Sequence, residues 1–186
     1  MSDYFRRQLT DYVEYHRDPR NGLMHVFGII SLFLAAVLPL SQWPVPAFGA
    51  PVTVATIMVV PVLTYWLVLD AAIGIAILFA AVVLLATATM IVSVASGPVV
   101  WSMTAALIVI GVTSQVVGHR VFERRQPALM DNPAHLLLGP MFVMAKLFIA
   151  FGFRQDLARI VAPVPPQALR SSAYPGERQG KPLPHS

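Results

Sequence analysis

The chain reads as long apolar runs separated by short polar or proline-containing breaks. Leu23 to Leu40 is the first run. As a helix rising about 1.5 Å per residue it would cover about 27 Å, close to the hydrocarbon thickness of a bilayer. "SQWPVP" ends it. The second run extends from about Ala47 to Leu69 and contains Pro51 and Pro61, which a span tolerates where neighbouring helices satisfy the freed carbonyls. Asp70 interrupts, a third run continues from Ala71 to Ala95, "SGP" ends that, and a fourth runs from Val99 to Gly118. A fifth, Ala134 to Phe153, is interrupted by Gly139-Pro140 and carries Lys146. Ahead of the first run, Phe5, Leu9, Tyr12, Val13 and His16 recur at helical spacing. That predicts an amphipathic helix lying along the membrane surface with His16 turned toward the bundle. "DPRNG" ends that helix, with Pro19 and Gly22 as breakers.

Composition sharpens this into a membrane protein. Of 186 residues, 56% are hydrophobic and 12% charged, with a mean hydropathy of +0.68. A soluble domain of this length has too little interior to hide so much apolar surface. The net charge of +4 does not point to nucleic acid, because the basic residues sit at the ends and in one loop, as membrane proteins place them. No signal peptide is read, since four acidic residues precede the first apolar run. With no cysteine, disulfides and thiolate metal sites are excluded.

Lys and Arg set the orientation. Arg6, Arg7, Arg17 and Arg20 precede the first run, and Arg120, Arg124 and Arg125 follow the fourth. The 41–50 and 96–98 connections carry none. About four spans with the amino terminus in the cytoplasm satisfy this pattern. The C-terminal segment, with Arg154, Arg159, Arg170, Arg178 and Lys181, then belongs on the same side, so the 134–153 stretch is read as a broken, re-entrant or interfacial helix pair. The expected fold is an all-α, polytopic membrane helix bundle: one embedded domain over 1–160, then a disordered Pro-rich tail over 161–186. Oligomeric state is left open.

In this arrangement His16, His25, His119 and His135 converge on one membrane face, together with Asp70 at the tip of the hairpin between the second and third spans. Gln115, His119 and Glu123 are spaced four apart and share a helix face. Each residue also has a plain structural role. His119 can complement a helix dipole, Asp70 can be a turn residue, the basic loop can meet lipid phosphates, and a lone interfacial His is more often structural than a ligand. His135 is the weakest candidate of the four, and His185 belongs to the solvated tail. Gln115 lies about one turn inside the bilayer, where it needs a partner across the bundle. The convergence outweighs any single residue: three or four imidazoles near carboxylates suit Fe(II), Zn or Mn. The competing reading is a non-catalytic scaffold or small transporter with interfacial histidines and no metal. A b-type haem would want paired histidines deeper in the bilayer, and a di-iron desaturase would want H-x-x-H-H or H-x-x-x-H clusters, which do not occur.

Two stretches, "YVEYHRDPRNGLMH" and "SQVVGHRVFERRQPALMDNPAHLLLGPMFV", resemble the membrane family of 2-hydroxy fatty acid dioxygenases typified by the yeast enzyme of fatty acid α-oxidation. With the span pattern, the resemblance covers about Tyr12 to Phe153. It implies an Fe(II)-dependent enzyme that uses O2 to remove C1 from a long-chain 2-hydroxy fatty acid, with His16, His25 and His119 holding iron. Glu123 or Asp70 would complete or orient the set, Gln115 would fix a histidine tautomer or meet substrate, and an Arg of the "HRVFERR" loop would attract the carboxylate. His135 has no counterpart in the family pattern, which leaves a fourth ligand unassigned. Lys146 is a second departure, standing where relatives tend to have Glu. The acyl tail is expected between the N-terminal helix (Phe5, Leu9, Tyr12) and the 134–153 stretch (Leu137, Phe142, Leu147), reached sideways from the cytoplasmic leaflet.

Overall fold

In a computed structural model the described residues are 1–16, 18–47, 50–124 and 135–161. Expectations for Arg17, Arg125, the tail beyond Val161 and His185 fall outside them. The chain forms α1 (Asp3–Glu14), α2 (Pro19–Leu40), a hairpin of β1 (Pro44–Ala47) and β2 (Ala50–Thr53), α3 (Val54–Leu69), α4 (Ala71–Val94), α5 (Gly97–Val117), a π-helical segment (Gly118–Glu123), α6 (His135–Ala150) and α7 (Gln155–Val161). The class is all-α.

Among the described residues, three helices are long and apolar enough to cross a membrane: Pro19–Leu40, Ala71–Val94 and Gly97–Glu123. Their outward faces are apolar, with Phe79, Met90, Val94, Trp101 and Val109 each more than half exposed. A water-soluble monomer does not leave a band of that kind uncovered. The second predicted span is shorter than the sequence pattern indicates. Its first residues pair as a hairpin, with Val45 opposite Val52 and Pro46 opposite Pro51, and proline fits a two-stranded edge ribbon better than a helix interior. The helix starts only at Val54, where the Thr53 hydroxyl accepts from the Thr56 amide at 3.4 Å. That leaves α3 as an apolar helix of 16 residues.

The 134–153 stretch also differs in detail. Helix α6 runs unbroken through Gly139-Pro140. It forfeits a backbone bond at the proline but buries Leu138, Met141, Phe142 and Ala145. The break comes at Gly152, in the left-handed region at φ 82°, followed by Arg154 at φ 52°, and α7 completes the pair.

Two packing seams place the site. Helices α2 and α5 approach through glycines. A Cβ on Gly28 would lie 3.1 Å from the Gly111 carbonyl oxygen, and one on Gly111 would lie 3.1 Å from that of Gly28. The second seam is the amphipathic α1 against α6 and α7. Phe5 and Leu9 are fully buried, and they share one core with Tyr12, Phe142 and Leu157. This seam is a closed core, so it offers no groove for a fatty tail, contrary to the expectation above. Phe5, Leu9, Tyr12 and Phe142, expected there as a lining, are consumed by packing, whereas Leu147 stays 47% exposed.

Asp70 ends α3 and caps α4, its Oδ1 accepting from the Ile73 amide at 3.1 Å. It also pairs with Arg154 at 2.8 Å and faces the chain's amino terminus at 3.6 Å. Burial alone would push its pKa up. The hydrogen bonds from Arg154 and Ile73, with the Arg154 charge and the amino terminus, outweigh that and hold it below the ordinary carboxylate value. Asp70→Ala is therefore expected to lower thermal stability in detergent by about 1.5–3 kcal/mol, the scale of a hydrogen bond to a charged group, because the pair is partly buried and Arg154 keeps Asp156 as a partner at 2.9 Å. A depressed carboxylate stabilises fully above its unfolded value and loses that contribution as pH falls through its folded value. The gap between wild type and Asp70→Asn should thus be constant above about pH 5 and shrink below about pH 4. A gap that widens on acidification would contradict this role.

Candidate metal centre

His16, His25 and His119 are all buried, and one ring nitrogen of each lies within 4.8 Å of the others. They come from three different elements. His16 follows the end of α1, His25 sits in the second turn of α2, and His119 opens the π-helical segment after α5. The His16 and His25 Nε2 atoms are 2.9 Å apart. The ring centroids lie 4.2 Å (His16–His25), 4.9 Å (His16–His119) and 5.0 Å (His25–His119) from one another, with planes crossed at 73° or more.

Local structure explains this convergence. His16 stacks on Tyr12 at 4.1 Å and 9°, one helical turn earlier. Its Nδ1–H donates to the Tyr12 carbonyl at 2.7 Å, which leaves Nε2 as the lone-pair nitrogen facing the cluster. Burial lowers the His16 pKa to about 3, against the opposing pull of that backbone hydrogen bond, so the ring is neutral at physiological pH. A neutral imidazole is the form that binds a metal. Burial also raises the Tyr12 phenol, which stays protonated. His119 is carried on wider π-helical turns, a local irregularity that recurs at functional sites. Arg124, at φ 54°, closes the segment by donating its N–H to the His119 carbonyl.

The cluster lines a cavity of about 130 Å³ together with Tyr12, Ile29, Leu32, Phe33, Gln115, His135, Leu136 and Gly139. The Gln115 side chain donates across the bundle to the His25 carbonyl at 3.4 Å. Glu123 does not join the imidazoles. Its Oε1 accepts from the Asp18 amide at 2.8 Å and from the Asn21 side chain at 3.1 Å, so it ties the end of α5 to the turn that places His16 and His25. Asp70 belongs to the Arg154 pair described above and is absent from both the histidine group and the cavity wall. His135 lies in the wall but outside the group. Its Nε2 is 3.0 Å from the Asp11 carboxylate, in an orientation that makes no hydrogen bond. Asn21 is fully buried; in the sequence it belongs to the "DPRNG" turn and to the first motif, with no role assigned to it. Its spacing of four from His25 is the signal that could have singled it out.

The donor set fits a metal ion. One ring nitrogen of each of three imidazoles lies within 4.8 Å of the others, the His16 and His25 Nε2 atoms at 2.9 Å are near enough to share a proton or a common ion, and Nδ1 of both His25 and His119 is buried with no hydrogen-bond partner among the described residues. A buried polar atom without a partner is rare unless something else is there to meet it. A family model described as 2-hydroxy-palmitic acid dioxygenase Mpo1-like matches residues 2–151. The chain belongs to the Mpo1-like family. It is 28% identical over 153 residues to the 2-hydroxy-palmitic acid dioxygenase of Saccharomyces cerevisiae, covering 82% of this chain and 84% of that one. No solved structure shows significant similarity. The matched region contains all three histidines, both flanking motifs and the whole cavity wall.

Proposed function

We propose that this protein is an iron-dependent dioxygenase of long-chain 2-hydroxy fatty acids that removes C1 and leaves an acid one carbon shorter. The observation that carries the reading is the buried convergence of His16, His25 and His119 in a chain of the Mpo1-like family. These three side chains would hold the iron, with Oε1 of Glu123 supporting the turn between His16 and His25. Iron(II) held there would supply O2 activation beside the carboxylate and hydroxyl groups of a hydroxy acid.

The chain's own groups supply the rest. The Tyr12 carbonyl fixes the His16 tautomer, and the Gln115 amide stands in the wall, where its oxygen can accept from a substrate hydroxyl. Ile29, Leu32, Phe33 and Leu136 keep the remainder of the chamber apolar, which limits water at the reacting end. One O2 balances the conversion when C1 leaves as carbon dioxide: R–CH(OH)–COOH plus O2 gives R–COOH, CO2 and one water.

The test is metal analysis of detergent-purified protein coupled to O2 uptake with 2-hydroxypalmitate. Iron bound in a near-stoichiometric amount, pentadecanoic acid as product, and equal O2 consumed and CO2 released are expected. Iron-free protein that stays inert after iron is restored would leave the scaffold reading standing.

The same reading puts both termini and the histidine end of the bundle on the cytoplasmic side, from the basic residues near Arg6, Arg20 and Arg120 against the uncharged 96–98 connection. In this cysteine-free chain, a Ser96→Cys label should be reachable only from outside and a Thr10→Cys label only from within. The reverse pattern would overturn the orientation.

A further inference from the structure

A second cavity, of about 510 Å³, lies between α2, α4 and α6, with Trp66 of α3 in its wall. Ile29 and Phe33 line both this cavity and the histidine chamber, so the two spaces share one partition. His25, Ile29 and Phe33 are successive i, i+4 positions on α2 and so lie on one face, about 6 Å apart per step. The shared face leads from the imidazoles along the helix toward its middle.

The two chambers differ in what they can hold. In the larger one the two polar donors are already used. The Trp66 indole donates to the Leu137 carbonyl at 2.7 Å, and the Thr87 hydroxyl donates to the Val83 carbonyl at 2.8 Å. A charged headgroup would find no donor there, whereas hydrocarbon needs none. The histidine chamber has the opposite character, but at about 130 Å³ it is far below the roughly 300–1,000 Å³ of pockets that enclose a drug-sized ligand. It has room for the polar end of a long-chain acid and not for the tail. At the rim of the larger cavity Ile30 and Val83 are 56% and 66% exposed, so it opens to the outside between α2 and α4, on the apolar surface of the bundle.

We infer that the α2–α4–α6 cavity binds the acyl chain of the substrate, which enters sideways from the bilayer between α2 and α4 while its hydroxy-acid end passes the Ile29–Phe33 partition to the histidines. This rests on the reading of the histidine chamber as the site of 2-hydroxy acid oxidation, and it replaces the closed α1–α6 seam as the place for the tail. Ala80 and Ala81 leave the space on the α4 side, so cavity length along α4 sets the acceptable chain length.

Filling the cavity tests this. Ala81→Phe is expected to lower kcat/KM for 2-hydroxypalmitate by about tenfold or more, the scale on which apolar pockets discriminate by size. The value for 2-hydroxyoctanoate and the iron content should stay near wild type. Equal losses for the two acids, or no loss for either, would overturn the assignment. A binding readout on the wild-type protein serves even if the variant fails to fold or no acid is turned over. In nanodiscs, 2-hydroxypalmitate carrying a diazirine near its methyl end should label the Val26–Leu34 and Ala80–Thr87 segments, and unlabelled 2-hydroxypalmitate should compete. Labelling confined to α1 and α7, or labelling that excess phosphatidylcholine removes as well as the hydroxy acid does, would mean a lipid-filled crevice and end the proposal. Specific labelling in a protein that consumes no O2 would instead count against the proposed reaction and leave the acyl site standing.

Discussion

His119→Ala is expected to leave the purified protein with little iron and to slow turnover of 2-hydroxypalmitate by more than about 100-fold, beyond the 10–100-fold typical of losing a group that only supports a ligand. The same holds for His16→Ala and His25→Ala, because no other side chain among the described residues joins the group of three. The comparison that gives this meaning is Glu123→Ala. Glu123 touches no imidazole in the cluster but bonds the Asp18 amide and Asn21, so its loss should loosen the turn and fall within the 10–100-fold range. Glu123→Gln, which keeps an oxygen able to accept both bonds, should recover much of that. His135→Ala should retain iron, since His135 faces Asp11 instead. Full iron and full turnover in His119→Ala would remove the histidine assignment. Full turnover in Glu123→Ala would remove only the buttressing role.

Sequence periodicity was enough for the long helices. Runs such as Ala71–Ala95 are apolar on every face, the pattern of a helix that crosses a bilayer or lies inside a large core. It was also enough for Gln115, whose cost inside an apolar run demanded a partner, and the partner is the His25 carbonyl. Periodicity does not reach features decided by pairing across the chain. Asp70 and Arg154 are 84 residues apart, and Glu123 and Asp18 are 105 apart. Both partners lie beyond any local pattern, so the sequence leaves open whether such a carboxylate completes the histidine set or orients it, and Glu123 bonds the turn between His16 and His25. The hairpin before α3 was hidden in an apolar run whose prolines are compatible with a span or a ribbon. The tail groove was misplaced for a related reason: inward-facing apolar residues on α1 and α6 look the same in sequence whether they line a groove or pack into each other. Only the full burial of Phe5, Leu9 and Leu138 separates the two.

The closeness of α2 and α5 is the other feature on which the centre depends. Gly118→Ala should show this with a single methyl group. In an ordinary exposed helix, Gly to Ala stabilises by about 1 kcal/mol. At Gly118 the new Cβ would overlap the Asn21 side-chain oxygen and lie 3.3 Å from the Met24 Cβ. Asn21 cannot swing aside freely, because its amide nitrogen is held by Glu123 at 3.1 Å. The first turns of α2 must then move away from the end of α5, and overpacking of this kind costs about 1–3 kcal/mol, enough to cancel the propensity gain or reverse it. The displaced residues are neighbours of both His25 and His119, so the expected result is iron affinity lowered by about 10-fold or more, on the scale seen when a metal's supporting contacts are disturbed. Gly111→Ala is the informative contrast. There a Cβ meets Leu32 side-chain carbons at 2.6 and 2.8 Å and the Gly28 carbonyl oxygen at 3.1 Å, so it should destabilise the bundle too. It lies about 10 Å further along α5, however, so iron affinity should fall less than in Gly118→Ala at equal loss of thermal stability. Iron titrations and melting curves on the two variants separate the cases. If Gly118→Ala melted higher than wild type and bound iron as tightly, the interhelical contact at this glycine would not be what holds His119 against His25.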